Sequence, residues 1–338
     1  MTRNRFADIA ASGGAAWAVV VAIGAYAFIT SDDFRTTANL TNLSRQMVVL
    51  GLVSLGQFVV VLARGVDLSI GASVRVASIV AAIVMDGSDG RFVLGVLAAL
   101  GVSVLIGAVN GLTVATLNVA PFIATLGTGA VVSGLALYMA RTPTGRSSPW
   151  WEELYDRTVG PIPVLVLLAG AIGAVLWVFL AHTRWGRHLY AVGGDPHVAR
   201  LSGLRVEGIT VSAYMLAGVL AGVAGVVLIG GTGVGDSSAA AALEFESLAV
   251  VVIGGASLAG GRGRLLGVLG GVVLFSMLGN VFNLLKVEVW YQQLVRGAVI
   301  LVAAALYVQR QPRPTLATAA TPTPLVDQKG AVHGNDRR

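Results

Sequence analysis

The sequence of 338 residues contains no cysteine, two lysines and few charged residues of any kind. Without cysteine the chain cannot form disulfides, thiolate metal sites or a cysteine nucleophile. Neither Lys286 nor Lys329 follows the glycines of a Gly-x-x-x-x-Gly-Lys-Ser/Thr phosphate loop, so this chain is not predicted to hydrolyse ATP. The four histidines lack the spacing of a zinc site. The sequence therefore predicts no catalytic site, no metal and no other cofactor.

The scarcity of charge also excludes an ordinary soluble surface. Charged residues make up 12% of the chain and apolar residues 55%, whereas an average soluble domain has about 25% charged residues. The 44 glycines lie mostly inside apolar runs, which is typical of closely packed membrane helices. Three Gly-x-x-x-Gly pairs, at positions 107/111, 218/222 and 267/271, predict flat helix surfaces that let backbones approach.

Ten apolar segments come near the roughly 17 to 25 residues that a helix needs to cross the membrane. The predicted fold is therefore all-α, a polytopic membrane bundle of about ten transmembrane helices within residues 1–310. Residues 311–338 are predicted to be a disordered tail, because they are rich in proline and lack apolar periodicity. The predicted spans are 13–29, 47–63, 70–85, 92–116, 122–140, 162–181, 209–231, 243–260, 265–285 and 293–308.

The distribution of basic residues predicts the orientation. With residue 1 inside the cell, the alternation of spans places 14 basic residues inside and 7 outside, and an excess of Lys and Arg marks cytoplasmic loops. Both termini are therefore predicted to be cytoplasmic. In the alternative, the first segment is a signal peptide cleaved after Ala25-Tyr26-Ala27, leaving nine spans. The apolar run continues through Phe28 and Ile29, which favours a retained span.

Several polar side chains lie inside the predicted spans, where lipid penalises them unless they face protein or water. Hydrogen bonding between helices is the alternative for each residue singly. As a set they indicate a polar path, and the candidates for a translocation path are Gln57, Asn110, Thr125 and Asn280. Arg75 is the sharpest case, because it lies inside a short span, but the sequence assigns it no role.

The longest internal connection, residues 181–208, contains the signal of a compact helix over residues 196–202. Asp195 is a candidate N-cap, Pro196 suits the first helical position, and Gly203 suits the left-handed residue after the helix. Such a helix is too short to be stable alone in water. From these residues, docking of a soluble partner and a turn resting on lipid headgroups remain equal alternatives.

Four groups of motifs stand out, and together they are specific. They are GVDLSIG at 65–71, NGL at 110–112 with PFIATLG at 121–127, GRHLYAVGG at 186–194 with ARLSG at 199–203, and VIGG at 252–255 with SLAGGRG at 257–263. With these motifs, the chain from about residue 40 to residue 307 resembles the ribose-type monosaccharide permeases of ATP-binding-cassette importers.

The resemblance implies partners and a place in the cell inner membrane. The implied partners are a second permease copy or homologue, an ATPase subunit inside, and an external substrate-binding protein that delivers a monosaccharide. The resemblance also implies that the internal loop contacts the ATPase. Because Val198 and Leu201 are three residues apart on the short helix, we expect them to seat this contact and Arg200 to orient it toward a carboxylate. The residues of this predicted coupling site are Asp195, Pro196, Val198, Arg200, Leu201 and Gly203.

Three other functions are alternatives. A branched-chain amino acid or nucleoside permease would have the same broad fold. An ion-coupled secondary transporter is disfavoured, because the predicted spans contain no Asp and only Glu244 and Glu246 as acidic residues. A membrane anchor without transport would not need the polar residues in the spans. Nucleic acid is not a predicted partner, because the short basic clusters lack aromatic or groove-reading neighbours.

Overall fold

The computed structural model describes residues 14–310, which are almost entirely helical. Within this range a two-residue strand, β1 (Thr158–Val159), pairs antiparallel with β2 (Ile162–Pro163). The predicted tail over residues 311–338 lies outside the described residues. The helices are α1 (Gly14–Thr30), α2 (Thr37–Leu62), α3 (Ile70–Met85), α4 (Phe92–Ala115), α5 (Pro121–Met139), α6 (Pro149–Asp156), α7 (Val164–His182), α8 (Arg184–Gly194), α9 (Pro196–Leu201), α10 (Val206–Thr232), α11 (Leu243–Ile253), α12 (Leu265–Leu284) and α13 (Val289–Arg310).

The all-α polytopic architecture is confirmed. Six of the described helices are long and apolar enough to cross a membrane, namely α2, α4 with the turn before it, α5, α7, α10 and α12. The helices α1 and α3 are apolar but shorter. The centre of the bundle is formed by α2, α3 and α10, whose apolar side chains belong to one buried cluster. A predominantly apolar surface elsewhere on the bundle suits contact with lipid.

Glycines on both helices allow a close approach between α4 and α10. A Cβ at Gly107 would overlap the carbonyl oxygen of Tyr214, and a Cβ at Gly218 would overlap that of Ser103. A Cβ at Gly111 would lie 2.7 Å from Cα of Val211. The predicted role of the Gly-x-x-x-Gly pairs in helix packing is therefore observed here, with glycines of both helices at the same contact.

The eighth predicted span, residues 243–260, is wrong at its C-terminal end. The helix α11 contains 11 residues and ends at Ile253, so it is about 16 Å long and too short to cross about 30 Å of hydrocarbon. Beyond it the backbone turns at glycines with positive φ, which are Gly255 at 85°, Gly260 at 84° and Gly261 at 64°. Residues other than glycine rarely adopt these angles, so the helix stops where they begin.

The chain before α11 passes along α3 as a series of turns over residues 237–242. Gly235 packs against Ile79 of α3, and a Cβ at Gly235 would lie 2.7 Å from Cα of Ile79. Nine residues later, Glu244 lies against Gly71 of the same helix. The chain thus moves along α3 by eight residues, which is about 12 Å of helix. Residues 235–253 therefore form a segment of turns followed by a short helix, which we call the broken crossing because it takes the place of the eighth predicted span.

Two regions lie at opposite ends of α10. At its C-terminal end, Trp151 of α6 donates from Nε1 to Val226 O at 2.8 Å. At its N-terminal end, Val206 packs in a buried cluster with Val192 of α8 and Ala199 of α9. Because α10 is long enough to cross the membrane, α6 and α9 belong to different faces of the bundle.

Candidate functional site

A buried connection between α2 and α3 is the centre of the polar network inside the bundle. Residues 65–69 lie almost entirely within the protein. There the Asp67 carboxylate accepts hydrogen bonds from the backbone N–H of Ser69 at 2.8 Å and from its hydroxyl at 2.7 Å. Asp67 therefore stabilises the turn immediately before α3, and the Ser69 side chain does not cap that helix.

Three of the four path candidates converge on this connection. Asn110 of α4 donates from Nδ2 to the Ser69 hydroxyl at 2.7 Å. The Thr125 hydroxyl on α5 accepts from Leu68 N at 3.0 Å. The side-chain amide of Gln57 on α2 faces the backbone of Asp67. With the amide oriented to match donors with acceptors, its nitrogen donates to Asp67 O at 3.0 Å and its oxygen accepts from Asp67 N at 3.3 Å.

These three side chains are completely buried. In this conformation they tie α2, α4 and α5 to one loop, which is the hydrogen bonding between helices that sequence reasoning gave as the alternative. Their part in a translocation path stays a prediction.

Asn280, the fourth candidate, lies elsewhere. On α12 it exchanges two amide hydrogen bonds with Asn39 of α2, at 2.7 and 3.1 Å. Asn39 also donates to Phe34 O at 3.2 Å. Asn280 therefore joins α12 to the start of α2, and the structure does not bring it to the connection at residues 65–69.

Replacing Thr125 with valine should destabilise the protein measurably. The hydroxyl is the acceptor for the buried backbone N–H of Leu68, and leaving a buried donor unsatisfied costs about 1–3 kcal/mol. Thr125→Ser keeps the acceptor and should cost less. Thermal unfolding of the purified variants in one detergent checks this, and equal melting temperatures for the two variants would contradict the assigned role.

Arg75 of α3 faces a cavity between α3, α5 and α11. The cavity has a volume of about 220 Å³, and Arg75, Ser133, Glu244 and Phe245 are among its lining residues. Arg75 donates from Nε to Ala239 O at 3.0 Å, so it does not reach along its helix to the membrane surface. Its guanidinium contacts the turns of the broken crossing that precede α11.

The predicted short helix in the internal loop is confirmed as α9. Asp195 accepts from the backbone N–H groups of His197 at 2.8 Å and Val198 at 3.1 Å, with Pro196 in the first turn. The helix ends one residue earlier than predicted, and Gly203 follows it with φ of 81°. The pKa of Asp195 lies below its ordinary value, chiefly because the carboxylate accepts from Val198 N–H and to a lesser extent because it accepts from His197 N–H.

The exposed surface of α9 carries two apolar side chains beside His197 and Arg200. The side chains of Val198 and Leu201 are 56% and 76% exposed, whereas Ala199 is buried against the bundle. Arg200 forms an ion pair with Glu207 at 2.6 Å, so its guanidinium already has a carboxylate within this chain. Val198 and Leu201 therefore provide an apolar contact surface, and Arg200 must leave or share Glu207 to reach a partner's carboxylate.

Replacing Asp195 with alanine should loosen α9 locally. Two backbone donors lose their acceptor, whereas Asp195→Asn keeps a capping oxygen. Amide hydrogen exchange at His197 and Val198 should be severalfold faster in the alanine variant and nearly unchanged in the asparagine variant. Because the pKa of Asp195 is lowered in the folded chain, the carboxylate contributes fully at neutral pH and its contribution is lost as pH falls through that lowered pKa. Equal exchange in all three proteins would contradict the cap.

Two residues near Arg75 were not among the predicted sites. Glu244, which lines the cavity, was noted only as an acidic residue in a span, and Ala239, whose carbonyl oxygen accepts from Arg75, carried no signal in the sequence. The sequence clue for Glu244 is the scarcity of carboxylates in the predicted spans, which contain only Glu244 and Glu246, because an ionisable residue inside the membrane marks a functional site by default. Glu244 lines the same cavity as Arg75 because the broken crossing brings it there, and hydropathy did not reveal the broken crossing.

The fold and these sites define a multi-pass helical membrane protein with a buried polar network, a charged cavity and a short helix with apolar side chains exposed on one face. Residues 39–304 match the family of permease components of branched-chain amino acid transport systems. The chain belongs to this family. It is therefore a transport subunit located in the cell inner membrane.

Curated relatives match over most of their length. The chain is 37% identical over 284 residues to the ribose import permease protein of Bacillus subtilis strain 168, covering 82% of this chain and 87% of that one. It is 35% identical over 287 residues to the ribose import permease protein of Escherichia coli strain K12, covering 83% and 89%. It is 33% identical over 291 residues to the D-allose transport system permease protein of the same strain, covering 86% and 88%. These relatives confirm the resemblance to ribose-type permeases. No solved structure matches the chain.

Proposed function

We propose that this chain is the permease subunit of an ATP-driven importer that carries a monosaccharide. The observation that carries the proposal is the set of relatives, since permeases named for ribose, D-allose and fructose match 82–86% of this chain at 31–37% identity. The family description mentions branched-chain amino acids, and an amino acid cargo is the alternative that the experiment below separates.

The partners follow from what the chain has and lacks. It has no phosphate loop, so ATP hydrolysis takes place on a separate ATPase subunit. The exposed apolar side chains of α9 support docking of that subunit at Val198 and Leu201. An external binding protein delivers the cargo to the opposite face, and a second permease copy or homologue completes the core.

The membrane topology in this proposal has about ten crossings with both termini in the cytoplasm. Residues 1–310 form the permease domain, residues 181–208 the coupling loop, and residues 311–338 a cytoplasmic tail. The broken segment over residues 235–253 is the eighth crossing. Retention of α1 is supported by its packing, because Ala27 is buried beside Met277 of α12 and Trp17 donates to Leu266 O at 3.1 Å.

The cargo is tested by ATP hydrolysis of the complex reconstituted with its ATPase and binding protein. D-ribose, D-allose, D-fructose and D-galactose are compared with L-leucine and adenosine under identical conditions. One or more of the sugars should stimulate hydrolysis at least fivefold over the rate without cargo. Stimulation by L-leucine or adenosine alone would reject the monosaccharide and retain the permease.

A further inference from the structure

One cavity inside the bundle is lined by two opposite charges and an aromatic ring. Arg75 comes from α3, while Glu244 and Phe245 open α11, and Ser133 of α5 adds a hydroxyl. Phe245 is 46% exposed, so the cavity is open at the surface of this chain. The three helices meet where the turns of the broken crossing lead into α11.

Arg75 has unused hydrogen-bonding capacity. Its Nε donates to Ala239 O at 3.0 Å, and within residues 14–310 its guanidinium forms no ion pair. A guanidinium has five N–H donors, so donors remain to face the cavity. A cation without a counter-charge is expensive at membrane depth and marks a functional site by default.

Glu244 has the complementary feature. Its Oε2 is buried and accepts no hydrogen bond from any described residue. The atom lies over Gly71, where a Cβ would overlap it, and Gly71 is four residues before Arg75, on the same face of α3. The absent side chain of Gly71 therefore makes room for the carboxylate one helical turn from the guanidinium.

The other acidic residue of this helix is already neutralised. Glu246 forms an ion pair with Arg296 of α13, so its carboxylate has a partner within the chain. The Glu246–Arg296 pair therefore has no charge left for a ligand. The cavity differs from it, because Glu244 has an unsatisfied oxygen and Arg75 has unused donors.

The chemistry of the cavity suits a compound without net charge, either one that carries several hydroxyl groups or a zwitterion such as an amino acid, and the proposed function favours the first. Each hydroxyl both donates and accepts, so neighbouring hydroxyls can donate to Glu244 and accept from Arg75. An anion would be repelled by Glu244 and a cation by Arg75. Phe245 offers an apolar surface to the C–H groups of a sugar ring, and about 220 Å³ is below the ~300–1,000 Å³ of pockets for drug-sized ligands, which suits a small solute.

We infer that Arg75 and Glu244 form a transient binding station for the sugar on its way through the membrane. The inference rests on the proposed function, because it takes the cargo to be a monosaccharide. Irregular backbone at membrane depth occurs where it is buried in protein or lines a cavity. The broken crossing, which carries Ala239 and Glu244 to Arg75, fits such a station.

The test measures uptake and ATP hydrolysis together in proteoliposomes that contain the complete importer. Arg75→Gln and Glu244→Gln each remove a charge, and Gly71→Ala keeps both charges but displaces the carboxylate. The number of sugar molecules imported per ATP should fall at least tenfold in Arg75→Gln and Glu244→Gln and by a smaller factor in Gly71→Ala. Hydrolysis stimulated by the loaded binding protein should stay within twofold of wild type, because neither the ATPase contact nor the outer face is altered.

The matched controls are Arg157→Gln and Glu153→Gln, which remove the same charges from an exposed ion pair of 2.6 Å at α6. Both should keep the wild-type number of sugar molecules imported per ATP, because a weaker contact with the binding protein on that face would lower uptake and hydrolysis together. The probe is the radiolabelled sugar, among D-ribose, D-allose, D-fructose and D-galactose, that wild type imports fastest. With deoxy analogues of this sugar, wild type and Arg75→Gln should differ less in the number of molecules imported per ATP. The analogue lacks a hydroxyl that would bind Arg75, so wild type loses the same contact that the variant has lost.

The outcomes separate the two claims. If wild type imports none of the sugars, the proposed function fails. If wild type imports a sugar and both charge-neutralising variants keep its ratio to ATP, the station is rejected while the importer stands. A parallel loss of uptake and hydrolysis with a lower melting temperature in both variants would also reject the station, since the residues would then serve the fold. Should Arg75→Gln fail to assemble, Glu244→Gln and Gly71→Ala decide the question.

Discussion

Replacing Leu201 with aspartate is expected to reduce ATPase association and sugar-stimulated ATP hydrolysis at least tenfold, while membrane insertion and the melting temperature of the isolated permease stay unchanged. The Leu201 side chain is 76% exposed in the free chain, so the substitution has little to disturb within it. In the assembled complex, the new carboxylate would be buried without a counter-charge, and an uncompensated buried charge costs about 3–5 kcal/mol.

The conservative variant Leu201→Met should behave like wild type, because it preserves an apolar contact of similar size. Val159→Asp is the matched control, since it places the same carboxylate at an exposed aliphatic position on the hairpin after α6. That hairpin lies on the face opposite α9, so ATPase co-purification should be unchanged. Normal co-purification and normal stimulated hydrolysis in Leu201→Asp would leave α9 as a turn resting on lipid headgroups.

Replacing Gly107 with valine should cause a large loss of stability. Any Cβ at this position would overlap Tyr214 O and lie 2.9 Å from its carbonyl carbon, and backbone atoms on both helices cannot move aside without separating α4 from α10. Overpacking a core usually costs about 1–3 kcal/mol and sometimes more. We expect the upper part of that range, seen as a marked fall in melting temperature and in the yield of folded protein.

Gly101→Ala on the same helix is the control. Nothing lies within 4 Å of the Cβ position at Gly101, and alanine exceeds glycine in helix propensity by up to about 1 kcal/mol. The control should therefore match or exceed the wild-type melting temperature. A Gly107→Val protein as stable as Gly101→Ala would show that α4 and α10 are not in backbone contact.

Local signals in the sequence were sufficient for the helix boundaries that depend on neighbouring residues. The start of α3 at Ile70, of α4 at Phe92 and of α12 at Leu265 coincides with the predicted spans, because polar or glycine-containing turns precede the apolar runs. The cap of α9 was predictable for the same reason, since Asp195 binds N–H groups two and three residues away.

The broken crossing was not predictable from hydropathy. The mean hydropathy over residues 243–260 is the same whether these residues form one helix or a helix followed by apolar turns. Hydropathy therefore does not show where the helix ends. The descent along α3 is set by tertiary contacts, such as that of Gly235 with Ile79, which join distant parts of the chain. Helix length alone therefore misplaced the crossing.

The candidate sites show the same division. The sequence identified Asn110 and Thr125 as polar residues that need partners, but those partners lie 41 and 57 residues away, at Ser69 and Leu68. No local pattern specifies such pairings. For the same reason Arg75 was noticed as an intramembrane charge, whereas its position beside Glu244 required the structure.

Uptake into proteoliposomes tests the central claim most directly. The permease is reconstituted with its ATPase and binding protein, and import of radiolabelled D-ribose, D-allose, D-fructose and D-galactose is measured with ATP enclosed on the ATPase side. One of these sugars should accumulate with the active ATPase, and accumulation should cease when the lysine of the ATPase phosphate loop is replaced. Undiminished import with the inactive ATPase, or import driven by an ion gradient through this chain alone, would contradict the assignment as the permease subunit of an ATP-driven importer.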